Sequence, residues 1–273
     1  MPHILGRQVD RRSQPRDCKP LDKFIYCEYR YMSTPTVVLL HGFLGFSRWG
    51  PIEQFRGVEK ALARKDIKPL IPEVPGAGTI AERAETLANK LFRGRAPAFA
   101  LVAHSMGGLD ARYLISHFDA DRRVKSLLTV STPHRGSPLA QWFLEAKGPV
   151  PAWIRHIGTP ALAELTPAAC EAMQIPDRPD VAYSSYASCR PLEELPFWLR
   201  PYAKVMREDN DGMVPVASAG WGKFRGTLRA DHIELLGWSL ALPDRQSARP
   251  FNHRQFWIEA AHQAIAAAEG KES

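Results

Sequence analysis

Residues 99–109, FALVAHSMGGL, constrain this chain most: an unbroken apolar run stops at a serine flanked by small residues and gives way to helix-forming sequence. Such a run reads as a buried strand. A strand that turns at once into a helix puts Ser105 on a strained elbow, whose crowded backbone tolerates only small neighbours. Ala103, two places before, and Gly107, two places after, meet that demand, with alanine standing where glycine is usual. The helix that follows aims its first amides at the serine, where negative charge would be received. The same letters also describe a strand that ends in a serine helix cap, so the surrounding pattern has to decide.

That pattern is strand and helix in alternation. Val37-Val38-Leu39-Leu40 is a continuous apolar run of the kind that central parallel strands show, and Ile52, Phe55, Val58 and Leu62 then recur at helical spacing. Residues 69–74 suggest a short strand, and Ile80, Ala84, Leu87 and Leu91 mark an amphipathic helix. The elbow strand, a helix over 106–117 and a strand over Val124–Val130 follow; strand character returns at 181–186 and 203–206, and an amphipathic helix over 252–268 packs through Phe256, Trp257, Ala260, Ala264 and Ala267. This alternation predicts an α/β fold, a doubly wound and mostly parallel sheet with helices on both faces, which binds ligands at the carboxyl ends of its strands. At 273 residues, one domain over 1–273 suffices.

Two stretches break the pattern. Residues 1–23 are polar and Arg-rich, interrupted by Pro15 and Pro20, and read as a loosely held arm or a targeting segment; Asp10 and Asp17 argue against a clean mitochondrial presequence. Residues 137–178 carry many prolines together with Trp142, Phe143, Leu144, Trp153 and Ile154, apolar without strand or long-helix period. They read either as a movable cap over the site or as a peripheral helical pair.

Composition narrows the partners. The net charge is +7, but Lys and Arg are scattered among carboxylates, which argues against nucleic acid and leaves a weak attraction to anionic lipid surfaces. There is no eighteen-residue apolar window for a transmembrane segment and no apolar core for a secretory signal, so an intracellular protein is expected, cytoplasmic or mitochondrial according to the arm. Cys18, Cys27, Cys170 and Cys189 lack the spacing of a zinc site and the density of a disulfide scaffold, and are expected as thiols.

Acyl transfer by a serine needs a base, an acid that holds the base, and donors for the oxyanion. On a sheet with such an elbow, the partners follow in the order serine, acid, histidine. Carboxylates cluster in Glu208-Asp209-Asn210-Asp211-Gly212, with Asp211 the first choice and Asp209 the reserve, although Asn-Asp-Gly is also an ordinary turn. His232 lies in a later loop, whereas His104, His117, His134 and His156 fall too early and His253 opens the terminal helix. His104 is expected to pack or hydrogen-bond in support of the elbow, pointing away from Ser105. The oxyanion donors are expected to be the backbone amides of Met106 and Phe43, the latter in His41-Gly42-Phe43-Leu44-Gly45 just after the first central strand.

Taken together, these segments resemble a triacylglycerol lipase of the α/β-hydrolase superfamily, similar to bacterial true lipases and to the intracellular, mitochondrial-type lipases of fungi. The resemblance rests on residues 41–45, 78–84, 103–108, 132–137, 210–216 and Asp231-His232, and spans roughly 36–262. It implies Ser105 as nucleophile, Asp211 as acid, His232 as base, Phe43 and Met106 as oxyanion donors, and His134 and Arg135 as scaffold. Secreted relatives hold a structural calcium partly through an aspartate two places after the histidine; here that place is Glu234, with no clear second carboxylate. No metal and no cofactor are therefore expected. The expected substrate is a lipid ester, against two alternatives: acyl transfer or small-ester hydrolysis on the same fold, and a non-catalytic binding module.

Overall fold

The computed structural model describes residues 34–45, 48–49, 52–145, 159–238 and 251–271. The expected arm, Cys18 and Cys27 lie outside the described residues, as does residue 153 of the expected cap.

Five strands form one parallel sheet in the order β1-β4-β5-β6-β7: β1 Thr36–Leu40, β4 Phe99–His104, β5 Val124–Val130, β6 Ala182–Ser188 and β7 Lys223–Leu228. A small antiparallel pair, β2 Arg48–Trp49 and β3 Ile52–Glu53, stands apart from it. The central strands are mostly apolar because both faces are covered, and alternation divides each strand between two cores. Val37, Leu39, Ala100, Val102, Leu128 and Val130 point to one side, where Phe256, Trp257 and Ala260 of the terminal helix α9, His253–Ala268, meet Val58 and Leu62 of α1, Val58–Ala63. Val38, Leu40, Leu101 and Ala103 point to the other, against Ala84 and Leu87 of α2, Ile80–Leu91, and Ala111 and Leu114 of α3, Gly107–His117.

Three sequence expectations are corrected. The 52–62 helix starts only at Val58, because Ile52–Glu53 pairs as β3 and Gly57 turns through a φ of 69°. Residues 69–74 contribute only an isolated bridge from Leu70 to Val38. Residues 203–206 are not a strand but the end of helix α7, Arg200–Met206, which is followed by the short α8, Val216–Ala219. Pro201 sits in the first turn of α7, where a missing amide costs nothing. The fifth strand, β7, carries no clear apolar period in the sequence because it lies at the sheet edge and leaves Lys223 and Phe224 exposed.

The described part of 137–178 consists of three short helices, α4 Pro138–Leu144, α5 Thr159–Glu164 and α6 Pro167–Ala172. α4 and α6 open on a hydroxyl cap followed by proline: Ser137 accepts from the Leu139 amide and Thr166 from the Ala169 amide. Ala140, Ala161, Leu162 and Leu165 pack on Met106 and Leu109, so this segment lies directly over the elbow.

Candidate active site

Ser105 has a φ of 56°, in the left-handed region that a side chain rarely adopts. The elbow expected from sequence is therefore present, and its neighbours explain why they are small. A Cβ on Gly107 would lie 2.8 Å from the His41 carbonyl, and one on Gly42 would lie 2.7 Å from Ser105 Cβ and 3.0 Å from its Oγ. The loop after β1 thus presses its backbone against the serine. Among the described residues, no hydrogen bond engages the amide nitrogens of Phe43 or Met106.

Asp211 and His232 come together as expected. Asp211 is fully buried and its Oδ2 accepts from His232 Nδ1 at 2.8 Å; the amide of His232 also donates to the Asp211 carbonyl at 3.0 Å. This pairing puts the ring proton on Nδ1 and leaves Nε2 as the basic nitrogen. Oδ1 of Asp211 accepts the amides of Met213 and Val214 at 3.0 and 2.8 Å. Burial alone would push the Asp211 carboxyl up, but the charge and hydrogen bond of His232, with donors from Val214 and Ser188, hold it below the ordinary carboxylate range. Asp209 has no place in this set.

Sequence reasoning missed two contributors. Ser188, at the end of β6, donates to Asp211 Oδ2 at 2.7 Å, and its own oxygen lies 2.5 Å from Ser131 Oγ, so two hydroxyls back the carboxylate. Arg190 closes on Glu234 through both carboxylate oxygens at 2.8 to 3.1 Å. Glu234, the residue weighed above as a cation ligand, is thus paired with a guanidinium, and it also accepts the Phe251 amide at 2.8 Å. Among the described residues, no group of three or more His, Cys, Asp or Glu side chains is disposed to hold a metal ion.

The other histidines separate by environment. His104 is buried, with its ring centroid 4.5 Å from that of His232, so it turns toward the site rather than away. The left-handed turn at Ser105 ends the strand alternation on which the opposite expectation rested. Burial, with the neighbouring His232, keeps His104 well below the ordinary histidine range. His41 takes the Val74 amide on Nε2 at 3.3 Å, which leaves its Nδ1 proton to the Gly42 carbonyl at 3.2 Å. Burial and Arg83 lower it to about 4. His134 bonds Thr129 Oγ1 at 3.0 Å and stacks on Trp221, and Arg135 reaches the carbonyls of Ala217 and Gly220. Both are scaffold contacts, in keeping with their expected role.

A cavity of about 500 Å³ joins Gly42, Phe43, Ser105 and His232. Its walls are apolar. One side carries Leu139, Ala140 and Phe143 of α4 with Leu162 and Leu165; the other carries Leu44, Leu236 and Trp238. Among the described residues, no Asp, Glu, Lys or Arg lines it. Phe143 also meets Tyr202 of α7, with ring centroids 5.5 Å apart. Arg178, in the loop after α6, is committed to Asp119 and Asp180 at 3.1 and 2.8 Å.

The chain is similar to known proteins. Residues 89–146, the elbow region, match the PGAP1-like alpha/beta domain. Over 215 residues the chain is 34% identical to triacylglycerol lipase 2 of Saccharomyces cerevisiae, covering 71% of this chain and 65% of that protein. Over 108 residues it is 32% identical to a triacylglycerol lipase of Pseudomonas fragi, covering 38% of this chain and 36% of that one. The chain therefore spans somewhat less than two thirds of the yeast relative's length. The crystal structure of mature Bacillus licheniformis lipase BlEst2 superposes with a TM-score of 0.61 at 22% identity, over 73% of this chain and 85% of that one. With the parallel sheet and the strained serine between strand and helix, these likenesses show that the chain has the α/β-hydrolase fold and is similar in sequence to triacylglycerol lipases.

Proposed function

We propose that this chain is a serine hydrolase cleaving the carboxylic ester bonds of lipids. One observation carries the reading: a strained serine and a histidine already bonded to a buried carboxylate open onto one apolar cavity free of charge. In the proposed mechanism Ser105 Oγ attacks the ester carbonyl carbon while His232 Nε2 takes its proton. Charge that develops on the carbonyl oxygen is received by the amides of Phe43 and Met106, neither of which is spent elsewhere among the described residues. Collapse of the tetrahedral intermediate breaks the carbon–oxygen bond to the alcohol, which leaves with the proton from His232, and an acyl group remains on Ser105. Water then attacks the acyl carbon, gives its proton to His232, and releases the fatty acid as Ser105 recovers its hydrogen. Asp211 holds the imidazole in the required tautomer throughout.

The apolar walls favour an aliphatic acyl chain over a polar one. Leu144 at the end of α4 and Phe197 just before α7 are exposed, which favours contact with a lipid surface. A series of p-nitrophenyl esters of increasing chain length, run on wild type and Ser105→Ala, tests the proposal. Wild-type rates that peak at medium or long chains, with loss of about 10⁶-fold in the variant, support it. A peak at acetate assigns a small-ester esterase instead, and product captured by an added alcohol in preference to water assigns an acyltransferase. Labelling of Ser105→Ala by a fluorophosphonate would remove Ser105 from the mechanism.

A further inference from the structure

The segment 78–84 entered the sequence resemblance without a role, and one of its side chains holds the loop that carries the Phe43 amide. We propose that Arg83 is a positioning residue for oxyanion binding, fixing the Gly42–Phe43 peptide and tying it to the helix that begins at the Met106 amide. The inference rests on the ester-hydrolase reading above.

Helix α2 opens on a capping box, with Thr79 and Glu82 each bonding the other's backbone amide, and this sets its register. Ile80, Ala84, Leu87 and Leu91 then face the core, and Arg83 falls on the same face with no solvent exposure at all. A buried guanidinium must find partners for its donors. Nε and Nη2 meet Asp110 Oδ2 at 2.9 and 2.7 Å, Nη2 also donates to the carbonyls of His41 at 2.9 Å and Gly42 at 3.2 Å, and Nη1 donates to Pro75 at 2.6 Å. The neighbouring Gly76 carbonyl accepts the Leu44 amide at 2.6 Å, so both ends of the loop meet at one side chain.

The geometry of the peptide unit turns this clamp into an aim. In a planar trans peptide the carbonyl and the following N–H point in opposite directions. The Gly42 carbonyl is held by Arg83, by His41 Nδ1 and by the Gly45 amide at 3.1 Å, so the Phe43 N–H is directed to the other side. Gly42 is also the residue whose Cα packs against Ser105. Asp110 lies one turn beyond Met106, whose carbonyl accepts the Asp110 amide at 3.2 Å. A single ion pair thereby joins the supports of both oxyanion donors, which come from separate elements.

The test compares Arg83→Lys and Arg83→Met with wild type on an ester and the thionoester of the same acyl chain. Sulfur accepts hydrogen bonds poorly, so the thionoester depends little on the two amides. Lysine keeps the charge beside Asp110, but as a single ammonium it cannot supply the fork that spans Asp110 and two carbonyls. In the folded Arg83→Lys protein, kcat for the ester should fall about 30-fold with KM within about twofold, whereas the thionoester should lose less than about threefold. Fluorophosphonate labelling should slow with the ester rate, since its phosphoryl oxygen takes the same place. If Arg83→Met fails to fold, the lysine variant carries the result. Variants with a lowered Tm but an unchanged ester-to-thionoester ratio would make Arg83 a merely structural ion pair and overturn the inference. Wild type that neither turns over the ester nor takes the label overturns the hydrolase reading, and this inference with it.

Discussion

Ser105 and His232 face one cavity but are fixed in opposite ways. Ser105 is held by backbone: a strand paired on both sides, a left-handed φ, and glycines at 42 and 107 that leave no room for a methyl group. His232 is held by side chains: Asp211 beneath it, Ser188 and Ser131 behind Asp211, and the Arg190–Glu234 pair fastening its loop. A group fixed by packing is indifferent to pH but intolerant of an added carbon. A group fixed by a polar network tolerates small changes of volume and responds to every lost proton or partner.

Substitutions can break this contrast. The largest effect is expected on the polar side: Asp211→Asn should lower kcat by about 10³- to 10⁴-fold by releasing the tautomer of His232. Asp209→Asn should stay within about twofold of wild type. Steady-state kinetics on both variants decides, and the reverse ranking would move the acid to Asp209. On the packed side, Gly107→Ala should cost about 2 kcal/mol in urea unfolding, because its Cβ meets the His41 carbonyl at 2.8 Å. Unchanged stability there would show that the elbow is less rigid than its φ implies.

Ser188→Ala sharpens the comparison through pH. Asp211 is held below its ordinary value, so its ionised form stabilises the fold above the unfolded pKa, and that stability is lost as pH falls through the folded value. Removing one donor should raise the folded value and cost about 1 kcal/mol at neutral pH. The difference in Tm between variant and wild type should narrow as pH is lowered through this titration. The smallest expected effect lies in the α4 segment. Trp142→Ser should leave hydrolysis of a soluble short ester within about twofold. It should abolish any jump in rate as a triglyceride passes its solubility limit. A smooth rise in wild type through that limit would make the segment a static wall.

Much of the packed half was legible in the sequence. The strands at 37–40, 99–104 and 124–130 read as mostly apolar runs, broken by His104, Lys125, Ser126 and Thr129, because two cores share them, and α2 and α9 show the spacing of a single buried face. Ser105, Asp211 and His232 were singled out by order and turn chemistry, and the structure brings Asp211 and His232 into contact. The supports of the polar half were not legible. Ser188 and Asp211 are 23 residues apart, and Arg190 and Glu234 are 44 apart, so no local period marks either pair. The 203–206 run fits a strand or a helix equally well by letters alone, and only Pro201 in the first turn of α7 hints at which. At 104, the alternation rule failed because the strained serine next to it changed the direction of the chain.

The uncharged lining of the cavity bears on how a reaction cycle would end. A neutral ester enters without losing any ionic hydration, but a newly formed fatty acid ionises at neutral pH and then finds no cation among the described walls. Its carboxylate is far better solvated outside. The same surface that welcomes the substrate would therefore expel the product, and accumulating soap should inhibit this protein weakly compared with an uncharged alcohol of equal chain length.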